Sequence, residues 1–288
     1  MSRRVSTLAY ECLSVEGGLL PPEWFSRLAQ SSLEEMRPED YRLPAGLQLR
    51  DEISRAWTIG RAWWQRYAKA REGHEPDSHH AVKAATVFAQ GLLREVFGFQ
   101  SLHPVTGALL VEGRQFQVTL QALQGRVPIA VAGWGESLDA PLERLKEGRR
   151  RSPFGMLQDY LNASPASMWG IVLNGRSLRL LRDNAALTRP AWIEADLERL
   201  FAGENHADFA ALWLLLHETR FGLADADPAD SWLERQRTAA LQEGTRARER
   251  LREGVTQALR ELGCGFLKHP GNDVLRESLR SGSVSDAD

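Results

Sequence analysis

Val127-Pro128-Ile129-Ala130-Val131-Ala132-Gly133-Trp134 decides the fold: an apolar run of strand length, without a charge, closed by a glycine. Two similar runs precede it, Ala108 to Glu112 and Gln115 to Leu120, with turn signals at Gly113 and Gln124-Gly125. In the second, Phe116, Val118 and Leu120 alternate with Gln115, Gln117, Thr119 and Gln121, the period-2 pattern of a strand with one wet face. Upstream, Val82 to Phe97 has helical spacing and stops at Gly98, a residue suited to positive φ. Downstream, a charged connector with Arg149-Arg150-Arg151 leads to a short helix, Phe154 to Leu161. Two further strands, Gly170 to Leu173 and Leu178 to Arg182, flank Asn174-Gly175, the strongest short hairpin signal.

The order helix–strand–strand–strand–helix–strand–strand predicts an α/β protein. It matches the plan of a restriction-endonuclease-like core, a mixed sheet flanked by helices with acids on its central strands. An N-terminal helical segment is expected over residues 1–80, with helices from Trp24 to Met36 and from Leu47 to Arg71. The second repeats Ile53, Trp57, Gly60, Trp64 and Tyr67 at steps of three and four, which places Trp57 and Trp64 in a core rather than on a base-stacking platform. The α/β domain is expected over 81–225, ending with helices at Ile193 to Phe201 and Ala207 to Thr219. Residues 226–288 read as a long helical connector rich in Arg and Glu, with an apolar stripe at Leu251, Val255, Leu259 and Leu262.

Composition narrows the function classes. Among 288 residues, 36 Lys and Arg face 38 Asp and Glu, so no global basicity points to nucleic acid, and any phosphate contact has to be local. Cys12 and Cys264 lie far apart in no metal-ligand spacing, which argues for a reducing, cytoplasmic setting without disulfides or structural zinc. No run reaches the ~20 apolar residues of a membrane span. His74, His79 and His80 with Asp77 read as a polar loop rather than a metal site.

Several longer stretches carry a resemblance. They are Leu157-Gln158-Asp159-Tyr160-Leu161-Asn162, Met168 to Gly175, Leu178 to Asn184, Glu194 to Glu198, Ala207 to His217 and Leu262 to Leu267. With Gly17-Gly18-Leu19-Leu20 and Arg37 to Pro44, the ordered pattern resembles the N-terminal region of large type IIG-like adenine-specific DNA methyltransferases of restriction-modification and phage-defence systems. The resemblance implies a nuclease-like module, a helical connector, and a methyltransferase domain that uses S-adenosylmethionine. A methyltransferase must extrude its adenine and grip it. The Gly-rich cofactor loop and the Asn/Asp-Pro-Pro-Tyr/Phe motif for that task do not occur here, where Pro21-Pro22 is the one adjacent proline pair. S-adenosylmethionine is therefore expected only in a domain outside this chain.

An active core of the restriction type needs an acid on one strand and a carboxylate-x-Lys on the next, to hold Mg²⁺ and activate water. Ala132 and Trp134 stand where that pair belongs, which predicts a non-cleaving relative with no catalytic residue and no metal. If the module cleaves, Glu112, Glu136 and Gln158 are the residues to carry it. Candidate DNA contacts are Arg149, Arg150 and Arg151 in the connector, and Arg176 and Arg182 on one face of the hairpin with Arg179 on the other. The expected function is to position duplex DNA, bound weakly and salt-dependently, and to dock the methyltransferase domain or a defence-system subunit through the 251–262 helix. The alternatives are an active Mg-dependent endonuclease and a stand-alone interaction protein.

Overall fold

Ile129 and Ile171 sit opposite one another on neighbouring strands that run in the same direction. These strands, β6 (Val127–Val131) and β7 (Trp169–Leu173) in chain order, are buried at every residue. Parallel neighbours cannot be joined by a tight turn. Here the connection carries helix α4 (Pro153–Ala163), started by Pro153 and by the Ser152 hydroxyl, which accepts from the Gly155 amide at 3.0 Å. The structure is a computed structural model that describes residues 10–76, 78–142, 151–182 and 191–282.

The remaining strands are β1 (Leu13–Glu16), β2 (His103–Pro104), β3 (Leu109–Val111), β4 (Arg114–Phe116), β5 (Leu120–Ala122), β8 (Ser177–Arg182) and β9 (Trp192–Asp196). Seven form one mixed sheet in the order β1-β9-β8-β7-β6-β5-β2, antiparallel except for β6 and β7, while β3 and β4 pair as a separate hairpin. The helices are α1 (Pro22–Ala29), α2 (Leu49–Arg71), α3 (His79–Gly91), α5 (Leu197–Ala202), α6 (His206–Leu216), α7 (Trp232–Lys268) and α8 (Asp273–Ser281). A π-turn, Leu92–Val96, continues α3.

Pleat alternation sorts the sheet into two apolar faces. Ala130, Ala132, Val172 and Leu181 meet Leu157, Tyr160 and Leu161 of α4, together with Phe116 and Val118. On the other face α3 packs on β6 and α2 on α3, with Tyr67 and Phe88 stacked at 4.6 Å. Helix α6 is apolar on all sides and lies buried from Phe209 to Leu216 apart from half-buried Ala210.

Three sequence expectations change. The helix expected from Trp24 to Met36 ends at Ala29, and Ser31 turns the chain away with a φ of 50°. The helix expected at Ile193 to Phe201 is strand β9 as far as Asp196, because Ile193 and Ala195 are buried in alternation with Trp192, Glu194 and Asp196. Only then does a helix begin, where the Asp196 carboxylate accepts from the Arg199 amide at 2.8 Å. The single strand expected at Gln115 to Leu120 divides. Its first part pairs with β3 and its last residue opens β5, although Phe116, Val118 and Leu120 are all buried as the alternation requires.

The chain falls into two compact units, Met1–Arg237 and Thr238–Asp288. Residues 1–80 and 81–225 thus lie in one unit, with β1 hydrogen-bonded into the sheet through Leu13 opposite Ala195. In the second unit the stripe expected at Leu251, Val255, Leu259 and Leu262 is exposed, and Phe266 extends it. No helix among the described residues is long and apolar enough to cross a membrane.

Candidate functional site

The sequence reading places an acid and an amine, had they been present, at the end of β6. Ala132 is fully buried against Phe116, Leu157 and Tyr160, and its amide donates to the Leu173 carbonyl at 2.9 Å. Trp134 is buried too, its ring edge-on to Tyr67 at 6.2 Å and beneath the Arg71 guanidinium at 5.9 Å. A methyl group and an indole in these places supply neither a metal ligand nor a proton carrier.

The fallback acids do not converge. Glu112 sits at the exposed turn of the β3–β4 hairpin with φ of 48°. The Glu136 carboxylate accepts from the Gly133 amide at 2.7 Å and so closes the turn after β6. Gln158 is buried on α4, and its amide donates to the Arg182 carbonyl at 3.0 Å, tying that helix to β8. Among the described residues, no group of three or more His, Cys, Asp or Glu side chains is placed to hold a metal ion.

The arginines divide by position. Arg149 and Arg150 lie outside the described residues, as does Asp77. Arg151 pairs with Asp159 of α4, which Arg114 also approaches at 3.5 Å. Arg176 donates to Glu198 at 2.9 Å, and Arg71 reaches the same carboxylate at 3.3 Å. Burial pushes Glu198 up, but Arg176 and Arg71 outweigh it and hold the carboxyl below the ordinary range.

Arg182, expected on a DNA face, is buried, and grips Glu234 through Nε and Nη2 at 2.9 and 2.8 Å. Arg179, on the opposite face of β8 as alternation requires, is buried as well. Its two Nη atoms bind Asp139 at 2.6 and 2.8 Å, its Nε pairs with Glu194, and its guanidinium lies 4.8 Å from the Trp192 ring. Arg179 hydrogen bonds hold the Asp139 carboxyl low. Arg179 and Arg182 therefore direct their charge into the protein, while Arg176 stays exposed beside Glu198.

An open cleft lies at the carboxyl ends of β6 and β7, the edge of an α/β sheet where ligands commonly bind. It measures about 360 Å³ and is lined by Trp134, Glu136, Asn174, Arg176, Asp196 and Glu198, among others. The Asn174 side chain shapes its floor, accepting from the Arg176 and Ser177 amides and donating to the Glu136 carbonyl. Gly175 turns here with φ of 80°, and a Cβ would fall 2.0 Å from the Tyr67 hydroxyl. The cleft walls are polar and mutually paired, which suits contact with a charged surface more than enclosure of an apolar ligand.

Arg71 and Glu198 escaped the sequence reading because each lies on a helix whose spacing reports only its buried face. The Asn174-Gly175 turn was legible and does set the cleft floor. No protein-family model, no curated protein and no solved structure matches the chain.

Proposed function

We propose that this chain is a non-catalytic DNA-positioning module of an adenine-specific DNA methyltransferase from a restriction-modification or phage-defence system. In this reading the sheet is a restriction-endonuclease-like core that has lost its metal site. The observation that carries it is the end of β6. The reading is supported by a mixed sheet in which β5 and β6 are antiparallel, α4 crosses over and β7 runs parallel to β6. In it Ala132 and Trp134 stand where the acid and amine would be. Phosphate contacts then set register on the duplex, and chemistry belongs to another domain.

Purified protein mixed with labelled duplex at low ionic strength tests the reading. Retardation in a gel-shift that fades as salt rises supports it, and indifference to duplex at low salt removes it. The same preparation with Mg²⁺ and supercoiled plasmid addresses the endonuclease alternative. Nicking that disappears in Glu112→Ala or Glu136→Ala would replace the non-catalytic reading with an active one.

A second reading, as an interaction protein of a defence system, is favoured by the exposed stripe of Leu251, Val255, Leu259 and Leu262. Both readings give that helix a partner, and only the first also requires DNA.

A further inference from the structure

Helices α2 and α3 fold back on one another. At one end His80 Nε2 lies 2.9 Å from the Ala70 carbonyl, and at the other a Cβ on Gly91 would strike the Trp63 ring. Rising numbers on one helix thus meet falling numbers on the other, which makes the pair antiparallel. Interpolating between the two contacts sets Lys69 level with Lys83 and Arg66 level with Thr86.

Residues 60–71 and 78–94 contain Arg61, Arg66, Lys69, Arg71, Lys83 and Arg94, and no Asp or Glu. That is a local imbalance in a chain whose acids outnumber its bases. Three of the six cations are engaged: Arg61 pairs with Glu204 at 2.5 Å, Arg71 with Glu198, and Arg94 donates to the Leu102 carbonyl at 2.9 Å. Arg66, Lys69 and Lys83 are exposed, and none forms an ion pair with a described residue. Glu72, Glu75 and Glu95 stand only at the ends of the pair. Like charges held on neighbouring helices gain nothing from one another, whereas a phosphate backbone passing over them is attracted to each.

Arg66 adds direction. Its guanidinium lies 5.1 Å above the Trp63 ring, whose Nε1 donates to Glu95 at 3.1 Å. A guanidinium held over an indole can still fork its N–H groups onto phosphate oxygens. With Arg66 over the ring and Gly91 against its fused bond, the indole is no platform for unstacked bases. Val87 is the large exposed hydrophobic among the described residues of these helices, too little to enter a lipid surface.

We propose that the outer face of the α2–α3 pair, through Arg66, Lys69 and Lys83, seats the phosphate backbone of duplex DNA. The proposal rests on the DNA-positioning function above and assigns it a surface different from the β7–β8 hairpin.

Fluorescence anisotropy of a short labelled duplex with the full chain, over a range of salt, tests it. Replacing all three residues (Arg66→Ala, Lys69→Ala, Lys83→Ala) should weaken binding about tenfold or more at low salt. It should also flatten the slope of log K against log salt by about three, roughly one per phosphate contact. Arg50→Ala, exposed at the far end of α2, should leave the slope unchanged, and Lys69→Arg with Lys83→Arg should retain it. The three side chains are exposed, so an unchanged melting temperature should accompany the loss. If wild type binds duplex and the triple variant matches it in affinity and slope, this surface is wrong and the DNA reading survives. If wild type binds no duplex, both fall. Preference for a single strand of the same length would overturn the assignment to duplex.

Discussion

Glu234 shows how a residue far away in sequence changes what an arginine is for. Spacing along β8 places Arg182 on a face but says nothing of a carboxylate 52 residues later that takes both its Nε and Nη2. Arg237 joins the same carboxylate at 3.2 Å, and all three residues are buried. Removing one partner from such a cluster leaves buried cations without their counter-charge, at a cost of about 3–5 kcal/mol. Glu234→Ala should lower stability by that amount in urea unfolding, whereas Glu198→Ala in the open cleft should cost less than about 1 kcal/mol.

His217 adds a pH dependence. It is buried between Trp213 and Tyr41, with Nδ1 on the Thr219 hydroxyl at 3.0 Å. Burial first, then the charges of Arg220 and Arg42, push its pKa down to about 3. The unfolded chain takes up a proton at about pH 6.5 that the folded chain refuses. Stability is therefore complete above about pH 6.5 and should fall by about 1.4 kcal/mol per pH unit below it, towards the folded value. Denaturant midpoints across that range should decline less steeply in His217→Asn, which preserves an acceptor near Thr219. Parallel slopes in the two proteins would mean that this histidine is already charged in the fold.

Among the elements, legibility followed period. The fully apolar strands β6 and β7, and helices α2 and α4, were readable within a few residues of their ends, since one burial pattern governs each. What failed was the joint between periods. Residues 192–202 carry a strand and then a turn of helix, and a helical window drawn across both averages the Ile193/Ala195 alternation away. Gln115 to Leu120 failed for another reason: one alternation serves two different partners, and pairing partners are not written in a strand's own sequence. Of the candidate site, the Asn174-Gly175 turn was legible, but not the ion pairs that join separate elements.

The β6–α4–β7 unit also limits what Ala132 can become. Ala132→Glu would drive a carboxylate into the cluster of Phe116, Leu157 and Tyr160, adding overpacking to desolvation. It should cost about 3 kcal/mol or more and yield no Mg²⁺-dependent nicking. At the same edge, just past β7, Gly175→Ala should cost at least about 1–3 kcal/mol, because its φ is positive and Tyr67 occupies the space. Thermal unfolding measures both, and a neutral Gly175→Ala would show that the turn can be remade without Tyr67.

At the scale of the molecule, the boundary expected near residue 225 falls after Arg237, inside helix α7 rather than before it. The reason lies in the first turns of that helix. Trp232 is 2% exposed, 5.9 Å from Trp24, and donates to the Glu34 carbonyl at 3.1 Å. Gln236 accepts from the Trp24 indole at 3.0 Å, and Arg235 pairs with Glu35 at 2.6 Å. These contacts are long-range, so the sequence displays the helix but not where its role changes. They also predict where the chain can be cut. A protein ending at Arg237 keeps the buried tryptophan and the Arg182–Glu234–Arg237 cluster, and should unfold cooperatively within about 4 °C of the full chain. One ending at Asp230 loses a buried tryptophan, worth about 3–5 kcal/mol, together with the counter-charge of Arg182. Its midpoint should drop by about 10 °C or more. Equal losses from the two truncations would mean that the first unit's core depends on residues beyond Arg237.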